Sequence, residues 1–170
     1  LVWNLVERRV VRAARAIFFT CQEERDLARH SFGPADYRSA IVPYCVGEPP
    51  GEPGRQRELF FEAHPRLRGK RIVLFLSRIH PKKGCDILLQ AFATAAATVP
   101  DAHLVIAGPD SIGWRHELQA LAGRLGLEDR ITWTGMLAGD LKWGAFRAAE
   151  FFALPSHQEN FGIAVVEALA

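Results

Sequence analysis

Two carboxylates near the end of the sequence, Glu159 and Glu167, have the types and spacing that most suggest chemistry. Seven residues separate them. Glu159 lies in a polar loop after an apolar run that Pro155 ends. Glu167 lies about two turns into a helix that the pattern predicts from about Phe161. Because a helix start offers unpaired N–H groups and a partial positive charge, this stretch predicts an anion site.

Glu167 stands out because its helix, from Ile163 to Ala170, is otherwise apolar. A carboxylate in such a helix costs free energy unless something binds it. Acidic residues of dinucleotide-binding folds accept hydrogen bonds from ribose hydroxyls, so Glu167 could hold a ribose. The alternative is a side chain that points to solvent. The helical period predicts one buried face, made of Ile163, Val166, Leu169 and Ala170.

Composition excludes several classes of function. The 170 residues carry a net charge of +2, which is too small to indicate nucleic acid or an anionic membrane as a partner. No apolar run approaches the ~20 residues of a membrane span. Three scattered cysteines suit a reducing cytoplasm better than a disulfide framework or a zinc site. Of these, Cys85 could have a lowered pKa beside Lys82 and Lys83, or be a purely structural thiol.

From Arg71 onward, apolar strands alternate with amphipathic helices four times, which predicts a Rossmann-like parallel α/β sheet with flanking helices. The predicted strands are 72–76, 104–107, 131–134 and 151–154. The helix after the first strand is expected to bury Ile87, Leu88, Ala91, Phe92 and Ala95.

Residues 1–42 predict a shorter helix–strand–helix–strand pattern. Helices are expected at 1–15 and about 21–30, and strands at 16–19 and 39–42. A capping box from Thr20 to Glu23 predicts the start of the second helix, and Gly33 and Pro34 are expected to end it. The stretch 43–54 is rich in proline and glycine and reads as a linker before a short helix at about 55–63.

Ligands of a parallel α/β sheet bind beyond the carboxyl ends of its strands. Four loops are expected there: Ser77–Lys83, Gly108–Gly113, Gly135–Asp140 and Ser156–Gly162. The first contains Arg78 and Lys83, and cations beside a helix start suit a diphosphate. The alternative is an ordinary solvated loop. The sequence contains no dinucleotide fingerprint, phosphate loop, nucleophile elbow or cluster of metal ligands.

Two stretches resemble a known family. The sequence from Ser77 to Leu88 resembles the first loop of the C-terminal domain in group 1 (family 4) glycosyltransferases of the GT-B fold. The sequence from Leu154 to Ala170 resembles their Glu-x7-Glu motif, and the two motifs lie about 75 residues apart, as in that family. The resemblance covers residues 71–170. It implies a metal-independent retaining hexosyltransferase of glycan biosynthesis, with a nucleotide-diphosphate sugar as donor and no further cofactor.

The resemblance also implies roles for individual residues. The two cations would hold the donor diphosphate, and the two carboxylates would contact the donor sugar and the ribose respectively. The expected catalytic residues are Arg78, Lys83 and Glu159. The expected donor-binding residues are Asn160, Phe161 and Gly162 beside the sugar and distal phosphate, Glu167 on the ribose, and Met136 near the base.

The same resemblance implies a domain plan. Residues 1–42 would be the end of an N-terminal acceptor domain, 43–70 an interdomain linker with a short helix, and 71–170 an incomplete donor-binding domain. We therefore expect a fragment that is inactive alone.

The expected partners are a nucleotide sugar and a glycan, lipid or small-molecule acceptor, in the cytoplasm. Any peripheral membrane contact would be made by the missing N-terminal region. Two alternatives stay open: a nucleotide-sugar epimerase of the same fold, and a non-catalytic Rossmann-like module that binds a phosphorylated ligand.

Overall fold

The computed structural model describes residues 6–32, 37–45, 47–159 and 161–170. The chain forms two compact units, and each contains a parallel sheet. The first unit comprises residues 1–47 and 159–163, and the second comprises residues 48–158 and 164–170. In the described ranges, no helix is long and apolar enough to cross a membrane.

The first unit has two short strands and two helices. Its elements are α1 Arg8–Ala13, β1 Ile17–Phe19, α2 Gln22–Phe32 and β2 Ser39–Ile41. The strands pair in parallel, with Ile17 opposite Ser39. The predicted order of helix, strand, helix and strand is confirmed. The expected helical start at residue 1 and the break at Gly33 and Pro34 lie outside the described residues.

The start of α2 differs from the predicted capping box. The backbone N–H and the hydroxyl of Thr20 both donate to Glu24, each at 2.7 Å, and not to Glu23. The backbone hydrogen bond from Thr20 is the main reason that the pKa of Glu24 is lowered. The helix begins one residue later than expected, at Gln22, so the carboxylate within reach of Thr20 also moves one place along the chain.

The second unit carries a four-stranded parallel sheet in the order β5-β4-β3-β6. Its elements are α3 Pro53–Ala63, β3 Arg71–Leu76, α4 Cys85–Thr98, β4 Ala102–Ala107, α5 Arg115–Arg124, β5 Ile131–Gly135, α6 Gly139–Ala148, β6 Phe151–Phe152 and α7 Ile163–Leu169, of which residues 164–169 belong to this unit. The predicted α/β fold with a parallel sheet and flanking helices is confirmed.

Alternating strand residues bury opposite faces of this sheet, because successive side chains of a strand point to opposite sides. In β3, Ile72 and Leu74 pack with residues of α3 and α6, whereas Phe75 packs with residues of α4 and α5. All six residues of β4 are buried, as expected of a central strand that helices cover on both faces. The second unit is therefore a three-layer sandwich of helices, sheet and helices.

Helix α3 packs closely against α6. Glu52 caps α3 by accepting hydrogen bonds from the backbone N–H groups of Gly54 and Arg55. Gln56 is 2% exposed, and its amide donates to the Pro50 carbonyl at 2.6 Å and to Asp140 at 2.9 Å. A Cβ on Gly144 of α6 would lie 2.1 Å from the Gln56 carbonyl oxygen, so only glycine permits this helix contact.

The buried stripe of α4 differs from the predicted one. The structure buries Cys85, Leu88, Leu89, Phe92 and Ala96. The predicted burial of Leu88 and Phe92 is therefore confirmed. The predicted burial of the other three residues is wrong, because Ile87 is 41% exposed and both Ala91 and Ala95 are exposed. The helix is apolar on most sides, so periodicity alone does not set its rotation. The face that is buried is the one that packs with β3, β4 and α5.

Two predictions about the end of the chain are wrong. Strand β6 is shorter than the expected 151–154, and Phe151, in this edge strand, is 58% exposed. Most of the predicted buried face of α7 is also exposed: Ile163 is 46% exposed, Leu169 is 83% exposed and Ala170 is exposed, whereas Val166 is half-buried. Periodicity identifies an apolar face, but it does not say whether another element covers that face.

His103 is a buried titratable group in β4. It is 6% exposed, and its Nε2 lies 2.9 Å from the Thr132 hydroxyl on β5. Burial, with smaller effects from the charges of Lys70 and Arg130, lowers the pKa of His103 to about 4. In the unfolded chain the imidazole has its ordinary pKa near 6.5. The folded state therefore favours neutral His103.

We expect the free energy of unfolding to fall as the pH drops from about 6.5 to about 4, because the unfolded state binds a proton first. His103 should contribute about 3 kcal/mol to this fall. Urea titrations across this range should give a steep dependence in the wild type and a shallower one in His103→Gln. Parallel curves for the two proteins would contradict the assignment.

Candidate functional site

The order of strands creates a topological switch point in the second unit's sheet. The chain starts this sheet at β3, adds β4 and β5 on one side, and then crosses through α6 to place β6 on the other side. The direction of strand addition thus reverses between β3 and β6. Ligands of open α/β sheets bind at such a switch point. The loops that follow β3 and β6 are therefore the candidate site.

Backbone hydrogen bonds join the four loops that the sequence predicts at this edge. After β3, the Ile79 N–H donates to the Pro109 carbonyl at 2.9 Å, and the Gly108 N–H donates to the Gly135 carbonyl at 2.8 Å. Across the switch point, the His157 N–H donates to the Lys82 carbonyl at 2.9 Å. The part of each predicted loop that lies in this unit is therefore held at one edge of the sheet.

Two glycines allow these loops to approach closely. A Cβ on Gly84 would lie 2.0 Å from the Pro155 carbonyl oxygen, and a Cβ on Gly108 would lie 1.8 Å from the Ser77 carbonyl oxygen. Gly84 also has a φ of 66°, in the left-handed region that favours glycine. A side chain at either position would push the loops apart.

The first loop carries the two predicted cations at different depths. Arg78 is exposed and lies two residues after the end of β3, next to Ile79, which is 3% exposed and part of the core. Lys83 is half-buried and ends a short 3-10 turn from Pro81 to Lys83. The His80 ring caps this turn, since its Nδ1 accepts a hydrogen bond from the Lys82 N–H at 3.2 Å. The buried isoleucine and the capped turn fix the backbone of both cations.

Glu167 is 16% exposed and is paired, so the alternative of a solvated outer-face carboxylate does not describe it. Its Oε1 lies 2.7 Å from Nζ of Lys142, whose side chain is 23% exposed. Sequence reasoning missed Lys142, because the two residues lie in different helices, α6 and α7, and 25 positions apart. The one available signal was a lysine in the first turn of a helix, where the dipole disfavours a cation.

Met136 follows Gly135, whose carbonyl accepts the hydrogen bond from Gly108. Its side chain is 74% exposed. Met136 therefore lies at the same edge of the sheet as the first loop and is accessible to a ligand. Its predicted position near a base stays a prediction.

The remaining predicted site residues are Glu159 and residues 160–162. Glu159, Phe161 and Gly162 belong to the first unit, where the Phe161 ring lies 5.4 Å from the Tyr44 ring. Asn160 lies outside the described residues. The predicted roles of all four beside a donor sugar stay predictions.

Two other residues near this edge have structural roles. Cys85 is fully buried, and burial raises the pKa of its thiol to about 11, so of the two alternatives the structural thiol is confirmed. Asp110 accepts hydrogen bonds from the backbone N–H groups of Trp114 and Arg115 and so caps α5. Within the described ranges, no three His, Cys, Asp or Glu residues are grouped as a metal site requires.

Comparison with known proteins gives consistent matches. The family model described as glycosyl transferases group 1 matches residues 56–170. The D-inositol 3-phosphate glycosyltransferase of Streptomyces coelicolor is 32% identical over 185 residues, which cover 96% of this chain and 40% of that protein. Its counterpart from Mycolicibacterium gilvum is 45% identical over 103 residues, which cover 59% of this chain and 22% of that protein. The chain thus spans less than half the length of either relative.

Among solved structures, HepE from Anabaena in complex with UDP and glucose superposes with a TM-score of 0.82. The match covers 98% of this chain and 45% of that chain, at 23% identity. At this identity, the likeness shows the fold alone.

We expect Gly84→Ala to destabilise the protein more than Gly126→Ala. Both glycines have a left-handed backbone, with φ of 66° and 68°, but a Cβ on Gly126 would meet no atom within 4 Å. Gly126→Ala should therefore cost only the conformational strain, about 1–2 kcal/mol. Gly84→Ala should cost about 1–3 kcal/mol more, because the new Cβ overlaps the Pro155 carbonyl.

Denaturant titrations of the two variants measure this difference. Equal losses of stability would show that the loops can separate at no cost, and that the close approach of Gly84 to Pro155 does not hold the site together.

Proposed function

The chain belongs to the group 1 glycosyl transferases, and from that premise we propose that its second unit binds the nucleotide-diphosphate sugar donor of a retaining, metal-independent transferase. The resemblance predicted from the two sequence motifs is confirmed at the level of this family. The complete reaction, its donor and its acceptor are proposals.

One observation carries the proposal: the backbone contact between the loops after β3 and β6 at the switch point. The hydrogen bond from His157 to the Lys82 carbonyl and the close approach of Gly84 to Pro155 hold the two motifs of the family together. The loop on one side of this contact carries Arg78 and Lys83. Two cations on a backbone that is held at the carboxyl edge of a parallel sheet suit a diphosphate.

These cations would contribute to catalysis through the leaving group. When the bond between the sugar and the diphosphate breaks, negative charge grows on the diphosphate oxygen. Arg78 and Lys83, fixed on the capped loop, would stabilise that charge more than they stabilise the uncharged glycosidic oxygen of the bound donor. Such differential stabilisation lowers the barrier. No metal ion is needed for this role.

The other predicted residues divide the donor among them. Glu167 would accept hydrogen bonds from the ribose, and Met136 would lie near the base. For Glu159 and residues 160–162, which the family resemblance assigns to the sugar and the distal phosphate, the role stays a prediction. The solved structure of HepE contains UDP and glucose, which supports a uridine nucleotide as the first donor to test.

For the acceptor, we propose a compound with a free hydroxyl, held by residues N-terminal to the second unit. The curated relatives are named for D-inositol 3-phosphate, which favours a phosphorylated polyol over a lipid as the first acceptor to test.

We expect Lys83→Ala to lower kcat about 10²–10³-fold in the full-length enzyme, by analogy with the loss of one donor from an oxyanion site. Lys70→Ala is the matched control, because Lys70 is exposed and precedes the amino end of β3, at the opposite edge of the sheet. Steady-state kinetics with the donor varied measure both variants. Unchanged turnover in Lys83→Ala would remove Lys83 from the mechanism.

Calorimetry distinguishes a nucleotide-sugar donor site from the alternative of a non-catalytic module that binds a phosphorylated ligand, here called a sensor. We expect UDP or GDP to bind, its hexose conjugate to compete for the same site, and inorganic pyrophosphate to bind much more weakly, because the ribose and base add contacts. Pyrophosphate that binds as tightly as the nucleotide would favour the sensor. Analysis of the products from donor and acceptor then separates a transferase from an epimerase, since an epimerase leaves the acceptor unchanged.

A further inference from the structure

The ion pair between Lys142 and Glu167 joins two helices of the second unit. Nζ of Lys142 lies 2.7 Å from Oε1 of Glu167, and the two side chains are 23% and 16% exposed. The same Nζ lies 4.5 Å from the centre of the Trp143 ring, and Trp143 is 7% exposed. Lys142 is therefore held by a carboxylate on one helix and by an aromatic ring on its own helix.

Local structure does not explain a lysine at this position. Lys142 is the fourth residue of α6, and the positive end of a helix dipole disfavours a cation there. Its partial burial adds a desolvation cost. The carboxylate of Glu167 and the face of Trp143 both offset these costs. The feature that accounts for Lys142 is therefore its partner on α7, and not the stability of α6.

The ion pair leaves Glu167 able to bind a ligand. An ionised carboxylate has about four lone-pair sites on its two oxygens, and Lys142 occupies one of them, on Oε1. Two adjacent ribose hydroxyls can donate to the sites that remain. A glutamate also has several rotatable bonds, so a fixed carboxylate loses less entropy when a ligand binds than a mobile one does.

We propose that Lys142 is a positioning residue for ribose recognition: it orients the Glu167 carboxylate so that this carboxylate accepts hydrogen bonds from the ribose hydroxyls of the donor. The inference rests on the proposed function, in which Glu167 contacts the ribose. It adds a residue of α6, the helix that follows the loop of Met136, to the recognition of the donor.

The test compares the affinities for UDP and 2′,3′-dideoxy-UDP, measured by calorimetry on the full-length protein. The wild type should prefer UDP about tenfold or more, because hydrogen bonds to a charged group are strong. In Lys142→Met this preference should fall at least about fivefold, while the affinity for the dideoxy compound stays within about twofold. Glu167→Gln should also lose the preference, and the double variant should lose no more than Glu167→Gln, because the two residues act as a unit.

Lys70→Met is the matched control, since it makes the same chemical change at an exposed site, and it should keep the full preference. Thermal unfolding shows whether each variant folds, and Lys142→Gln replaces Lys142→Met if the latter does not. If GDP is the nucleotide that binds, GDP and its dideoxy analogue take the place of the uridine pair.

The outcomes separate the inference from the proposed function. A preference that Glu167→Gln loses but both Lys142 variants keep would overturn the positioning role and leave the ribose contact intact. Equal losses for both nucleotides in the Lys142 variants would also overturn it, because Lys142 would then act on the diphosphate. No preference in the wild type would overturn the ribose contact itself, and with it this inference.

Discussion

The close approach of backbone segments at the carboxyl edge of the second unit's sheet is the constraint on which the candidate site depends. Gly84 faces the Pro155 carbonyl, and Gly108 faces the Ser77 carbonyl, at separations that no Cβ could occupy. These contacts bring loops from distant parts of the sequence to one edge. Without these contacts, the distance between the cations after β3 and the segment after β6 would not be fixed. A diphosphate could then not contact both at once.

The pair of Lys142 and Glu167 depends on a second close contact, on the helical layer beside the sheet. Helix α6 is held against α3 at Gly144, and the buried amide of Gln56 donates to Asp140 in the first turn of α6. The position of Lys142, two residues after Asp140, is therefore set by core packing. The packing of α3 against α6 thus places the cation that offsets the cost of a carboxylate in the apolar helix α7.

The sequence was sufficient for features that depend on local pattern or chain order. The alternation of strands and helices predicted the parallel sheet, and the rule for parallel sheets placed the loops of Arg78, Lys83 and Met136 at one edge. The sequence was insufficient for features that depend on contacts between residues far apart in the chain. The buried face of α4 is decided by its packing against the sheet and α5, and the partner of Glu167 is 25 residues away on another helix. The exposed face of α7 carries the same apolar period that a buried face would carry.

The contact between His157 and Lys82 uses only main-chain atoms, and both side chains are exposed. Because the contact is made by main-chain atoms, it does not depend on which side chains residues 82 and 157 carry. Substitutions at positions 82 and 157 can therefore alter the charge and shape around a ligand while the loops keep their geometry. Divergence of ligand preference on an unchanged scaffold, in nature or by directed evolution, is easiest at positions of this kind.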